Sequence, residues 1–188
     1  MVKKIAIGLF AALVLAIVVV LGLAAGKPDT LHVERKLVMK AAPAQVFPYA
    51  NDFSKFLTWI PWSELDPQQT IEFSEPPSGV GAWYTWSGND DVGKGRMEVL
   101  SADSDKVVHK LEFIEPFASV AETSVLMKDL GDGTVEVTWS YEQDADFGTK
   151  MMCVFMDMDA MLGADFEKGL ARLKPLVEAD AAAAGAGS

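Results

Sequence analysis

One cysteine, Cys153, and two histidines, His32 and His109, are all that the 188 residues offer of thiol and imidazole. A lone cysteine forms no internal disulfide, so an apolar core has to hold the fold. Two histidines far apart in sequence, with one cysteine, make no zinc-spaced cluster, and neither a metal nor any other cofactor is expected. No G-x-S-x-G elbow is present to suggest a hydrolase. Gly79-x-Gly81 and Gly93-x-Gly95 sit in strand-like sequence with no helix after them, which excludes a phosphate loop. Asp157-x-Asp159 opens like a calcium loop, but Met161 and Leu162 occupy the next ligand and glycine positions. Basic residues are also short. Beyond Lys3 and Lys4, fourteen of them stand against 27 acidic ones, a balance of −13. Such a surface gains nothing from counterion release, so a nucleic-acid partner is excluded, and it opposes flat docking on anionic lipid.

What the chain has in excess is apolar sequence at its start. Ile5–Ala25 reads IAIGLFAALVLAIVVVLGLAA behind Lys3 and Lys4. About 20 such residues cross the hydrocarbon layer as a helix, whereas the apolar part of a signal peptide is about 7–15 residues. The expectation is a single-pass transmembrane anchor over residues 1–26, although Ala24, Ala25 and Gly26 are small enough for signal-peptide cleavage. The leading lysines suit a cytoplasmic N-terminus and an extracytoplasmic domain. Lys27, Arg35, Lys36 and Lys40 on the other side weaken that asymmetry.

Residues 27–30 read as a connector. In LHVERKLVMK (31–40), Leu31, Val33, Leu37 and Met39 share one parity, interrupted by Arg35, as in a half-buried strand. The next segment suits two short helices, the first opened by Pro43 and the second capped by Ser54 and ended before Pro61. Period-two alternation then recurs at 70–75, 80–88, 93–102, 107–115, 122–130 and 134–142, with Gly131-Asp132-Gly133 as a hairpin turn. Residues 147–174 read as one long helix, Pro175 marks its weakening, and 177–188 is a low-complexity tail. Around that helix Phe147, Met151, Phe155, Met158, Leu162, Phe166, Gly169, Leu173 and Leu176 form one stripe. An antiparallel sheet of this size needs its apolar face covered, and this helix is the one large cover available. The order predicts an α+β helix-grip fold: about seven antiparallel strands curved onto a long final helix.

The segments PAQVFPYANDFSKFLTWIPWSELDP (43–67), SGVGAWYTWSGN (78–89), VGKGRMEV (92–99) and LEFIEPF (111–117) together resemble the START-like, polyketide-cyclase-type superfamily that includes the birch pollen allergen. The resemblance covers about residues 31–176 and leaves out the apolar start. It is most specific to the bacterial cyclase and lipid-transport branch. It implies a hydrophobic cavity between sheet and helix, in which many members bind lipids, sterols or polyketides and a minority catalyse cyclisation or dehydration. It carries over no catalytic residue.

Candidate walls for that cavity are Met151, Phe155, Met158 and Leu162 on the helix and Trp86, Met97, Leu111, Phe113 and Trp139 on the strands. Trp59 and Trp62 stand at the entrance or plug the end of the core. Methionine is unbranched and polarizable, so it adapts to differently shaped apolar guests; the same stripe also suits a plain core. Met152, Met156 and Met161 lie off the stripe and call for a second contact. His109 shares parity with Leu111 and Phe113, and Asp159 lies near an edge of the stripe, where burial would raise its pKa. Together they are the acid–base pair that a cyclase would need. Asp165 lies near the other edge, and Asp157 points to solvent. The leading expectation is a membrane-anchored protein binding a hydrophobic small molecule or lipid. The alternative is a cyclase or dehydratase.

Overall fold

The computed structural model describes residues 2–186. Alternation in the sequence becomes strands β1 (Thr30–Met39), β2 (Thr70–Phe73), β3 (Trp83–Ser87), β4 (Lys94–Ala102), β5 (Lys106–Glu115), β6 (Ser119–Asp129) and β7 (Val135–Asp144). They form one antiparallel sheet in the order β1-β7-β6-β5-β4-β3-β2. Each hairpin neighbour follows in sequence, and β1 closes the row by pairing Thr30 with Asp144 through Met39 with Val135. Gly131 and Gly133 take φ of +79° and +83° in the β6–β7 turn, a conformation costly for any residue with a Cβ. Register shifts at Lys94/Gly95 and Val99/Ser101 bend β4 and deepen the curl of the sheet.

The helices are α1 (Val2–Ala25), α2 (Pro43–Asn51), α3 (Phe53–Phe56), α4 (Phe147–Phe155) and α5 (Met158–Ala186), with a 3-10 turn at Pro61–Glu64. α1 is long and apolar enough to cross a membrane. α3 is capped by Asp52, whose carboxylate accepts from the Ser54 amide at 2.9 Å, rather than by Ser54 itself. The long C-terminal helix is broken. Met156 is extended, with φ −124° and ψ 132°, and Asp157 caps a new helix by accepting from the Ala160 amide at 3.0 Å. Aspartate competes with helix backbone in mid-helix but satisfies orphan amides at an N-terminus. Asp146 does the same for α4 at the Thr149 amide, at 2.7 Å. The two acids in the methionine-rich stretch therefore start a helix rather than ride on one.

Of the two C-terminal helices, α5 grips the sheet. It crosses β1 and β7 and buries Phe166, Leu170, Leu173 and Val177, each contributing about 1.5–3 kcal/mol. Gly169 makes the approach possible, since a Cβ there would lie 2.6 Å from the Trp139 ring. α5 also continues through Pro175 to Ala186, so no tail begins at 177: Val177 is fully buried, and the Tyr49 hydroxyl donates to Asp180 at 3.0 Å. α4 turns away from the sheet, has no buried residue, and packs on α1.

Candidate functional site

Because α5 covers β1 and β7, the curl of the sheet leaves space in front of β3, β4 and β5. That space is a cavity of about 250 Å³. Its sheet wall is Ile71, Tyr84, Trp86, Met97, Leu111, Phe113, Trp139 and Tyr141, and its helix wall is Leu162 and Phe166. Phe56, Leu57, Ile60 and Trp62, from α3 and the segment after it, roof it over. The aromatic rings hold one another in place: Trp139 stacks on Phe166 at 4.1 Å and 12°, while Trp62 and Phe56 meet Trp139 edge-on.

Most polar groups in the lining are already bonded to the protein. Thr123 donates to the Ser140 carbonyl and accepts from Trp139 Nε1. Ser63 donates to the Ile60 carbonyl, and the Gln69 amide donates to that of Ser63. Tyr141 donates to Gln143 at 2.5 Å, and burial pushes its pKa up to about 12. Asp91, exposed, has no partner for its carboxylate among the described residues, and buried Tyr84 is the other exception. Its hydroxyl makes no hydrogen bond among the described residues, and burial raises its pKa strongly, so it remains a neutral donor at ordinary pH. Asp66 accepts from the amides of Gln68 and Asn89 at 2.9 and 2.8 Å. That carboxylate ties the 88–93 turn to the segment after the 3-10 turn. Trp86 donates from Nε1 to the Val92 carbonyl at 3.0 Å and lies over Gly95, where a Cβ would come within 2.2 Å of the indole and 2.5 Å of the Glu112 carbonyl oxygen. The carbonyl cannot step aside. Gly95→Ala is expected to lower stability by about 1–3 kcal/mol and shift the Trp86 emission, readable by urea titration followed by fluorescence.

Of the residues expected from sequence, Trp62, Trp86, Met97, Leu111, Phe113, Trp139 and Leu162 are brought together around this space. Trp59 is not. It is fully buried in the core, donating to the Tyr49 carbonyl at 3.0 Å. Met151, Phe155 and Met158 are also elsewhere, because the helix breaks at Met156, leaving Met151 and Phe155 on α4, which packs on α1, and Met158 at the very start of α5. Phe155 is 72% exposed, and with Met158 it borders a separate surface groove beside Lys27 and Leu31. Tyr84, Tyr141 and Phe166 line the cavity without having been singled out, although the tyrosines share parity with Trp86 and Trp139 and Phe166 lies on the same stripe.

The expected acid–base pair does not form. His109 is fully buried between Phe53 and Phe56, and its Nε2–H donates to the Ala50 carbonyl at 2.8 Å. Asp159 receives a two-pronged bond from Arg35, with both N···O distances 3.0 Å. That guanidinium holds the Asp159 carboxyl below its ordinary value, the reverse of the rise expected from burial. Arg35 is the residue that interrupts the apolar parity of β1. It reaches α5 across Gly163, where a Cβ would lie 2.0 Å from Nη2, and also donates to Glu167 at 3.0 Å. Asp165 pairs with Lys168 at 3.0 Å. No group of His, Cys, Asp and Glu among the described residues is placed to hold a metal.

The model of the family described as polyketide cyclase/dehydrase and lipid transport matches residues 30–178. The chain belongs to that family. Its match begins where the connector ends, so α1 lies outside the family domain. No curated protein matches the sequence. Among solved structures, a Chromobacterium violaceum protein is 16% identical, with 81% of this chain and 99% of that one covered and a TM-score of 0.55. A Mesorhizobium loti protein is 13% identical, with 79% and 96% covered and a TM-score of 0.54. Major latex-like protein 151 of Panax ginseng is 16% identical, with 82% and 99% covered and a TM-score of 0.52. At such identities they share the fold.

Proposed function

We propose that the protein is a membrane-anchored carrier that holds a hydrophobic small molecule or lipid between the sheet and α5. The observation that supports this most directly is the cavity, whose wall is mostly apolar and whose polar side chains, the buried Tyr84 hydroxyl and the exposed Asp91 carboxylate apart, are bonded within the protein. Burial of ligand surface supplies the affinity, at about 25 cal/mol per Å² before ordering costs. The Tyr84 hydroxyl is the group left to orient a ligand oxygen. Small-molecule sites commonly run from about 300 to 1,000 Å³, so a space of about 250 Å³ suits a compact ligand or one segment of a long chain. Binding is favoured over cyclase or dehydratase chemistry because His109 and Asp159 face different surroundings.

The segment from Lys27 onward, purified and extracted, is expected to yield a co-purified apolar molecule by mass spectrometry. Titration of the emptied protein with fatty acids or other apolar compounds should quench the tryptophans that line the space. Leu111→Trp adds an indole to the hollow and is expected to weaken binding by roughly ten-fold or more, equivalent to about 1.4 kcal/mol, with little change in melting temperature. Absence of both ligand and quenching, or unaltered binding by the Leu111 variant, overturns the reading.

A further inference from the structure

Strand register decides which parts of the molecule share an end of the sheet. β1 begins at Thr30 opposite Asp144, where β7 ends, so α1 and α4 both leave from that end. α4 packs on α1, and Ala24 in the last turn of α1 is fully buried. Along the ladder, Glu122 pairs with Glu142 and Phe113 with Ser119. The β5–β6 turn therefore lies at this same end, two strand spacings or about 10 Å from β7. That turn carries Phe117, 83% exposed, and α4 carries Phe155, 72% exposed. Outside α1 no other large apolar residue among those described is exposed so far. Further along, Ser87 pairs with Lys94 and Lys94 with Glu115. This brings the 88–93 turn to the same end, and its Asp91 and Val92 line the cavity.

We propose that this end of the domain rests on the lipid bilayer, with Phe117 and the apolar face of α4 inserted at interfacial depth, so that the part of the cavity lined by Asp91 and Val92 faces the membrane. The inference rests on the anchor and carrier reading given above. The bilayer is the occupant because of α1. Its apolar run ends at Ala25, at the boundary of the hydrocarbon layer when it spans, and a helix packed on its last turns lies within about one helix diameter, 10 Å, of that boundary. Phe147, Met152 and Phe155 fall within about 140° of one another around α4, which gives an interfacial helix a single face to bury. Asp144, Asp146 and Asp157 flank the same helix. Insertion is therefore driven by apolar area rather than attraction to anionic headgroups, and zwitterionic lipid is favoured.

Depth-dependent quenching tests this on the full chain in phosphatidylcholine vesicles. An environment-sensitive fluorophore is placed on a single cysteine in a Cys153→Ser background, with Phe117→Cys, Phe155→Cys, Leu15→Cys or Val80→Cys. Val80 lies between β2 and β3, at the opposite end of the sheet. Spin-labelled lipid with its probe near the headgroup is expected to reduce emission roughly two-fold at 117 and 155 and to leave 80 unchanged. Lipid labelled deep in the chain should quench 15 most. If 117 and 155 behave like 80 while 15 is quenched, the anchor stands and the docking proposal is lost. If 117 and 155 are shielded from water but not reached by either quencher, a second copy covers them and the proposal is equally lost. If 15 is not quenched, the anchor reading fails and takes the proposal with it.

Discussion

Trp139→Ala is expected to cost about 3–5 kcal/mol, the range for removing a large aromatic from a core, and to lower the melting temperature by roughly 10–15 °C for a chain of this length. Trp139 is 2% exposed and sits where β7, α5 and the segment after α3 converge. It stacks on Phe166, and Trp59 approaches it edge-on at 4.6 Å. Its indole N–H is bonded to Thr123, so truncation also leaves a buried hydroxyl without its donor. The same ring is part of the cavity wall, so the variant should enlarge the hollow while weakening the fold. Trp83→Ala is the comparison. Trp83 lies half-buried against the Arg96 guanidinium, 4.9 Å from the ring centroid, and an exposed cation–π contact contributes about 0.5–1 kcal/mol. Urea unfolding of both variants measures the contrast, and equal losses would mean that the aromatic stack does not organise the core.

The sheet was legible because alternation is a local signal that survives burial on one face. Every strand expected from parity exists, with ends displaced by a few residues. The sheet side of the cavity lining is visible in the same parity, since Trp86, Met97, Leu111 and Phe113 share one face of the adjacent strands β3, β4 and β5, with Trp139 beyond β6 on β7. The helix was harder. A wheel drawn at 100° per residue treats 147–174 as continuous and sorts residues only by angle, so Asp157 and Asp159 became off-stripe acids. Their better meaning was available in residue type: aspartate is a strong N-cap and a favourable first-turn residue, through the helix dipole. Missing that break carried Met151, Phe155 and Met158 into the cavity, whereas the structure holds them beside the end of α1.

Apolar character alone cannot name its partner. A face of Phe and Met suits a sheet, a second subunit or lipid equally well, and the choice follows from which strand ends meet. Thr30 opposite Asp144 is a contact between residues more than a hundred positions apart, and nothing near either one announces it. Arg35 is a similar case. A charge on the inner parity of β1 looks like an interruption until Gly163 opens a gap on α5 and Asp159 and Glu167 stand at its rim. Both carboxylates are largely exposed, so the pairs contribute modestly to stability. What the cluster does is fix where α5 begins, and with it the position of Leu162 at the cavity.

Lowering the pH from about 6.5 to 4 is expected to remove about 3 kcal/mol of stability through His109 alone. Burial lowers its pKa from 6.5 to about 4, outweighing the Ala50 and Thr123 backbone groups, which favour the protonated ring. The unfolded chain takes up a proton near pH 6.5 that the native protein refuses until about pH 4. Between those values the unfolded state binds more protons, so stability rises with pH across the window, is complete above it, and loses nothing further from this group below it. A shift of this size at 1.36 kcal/mol per unit gives the stated loss. Nδ1 is buried without a hydrogen-bond partner, and the Thr123 backbone favours the charged ring too weakly to offset the cost of burial. His109→Gln keeps an N–H for the Ala50 carbonyl and removes the titration. Urea melts of both proteins from pH 4 to 8 should diverge in slope only within the window, with carboxylate protonation at the acid end common to both. Parallel profiles would show that the imidazole is hydrated in the native state, and the packing of Phe53 and Phe56 around it would have to be redrawn.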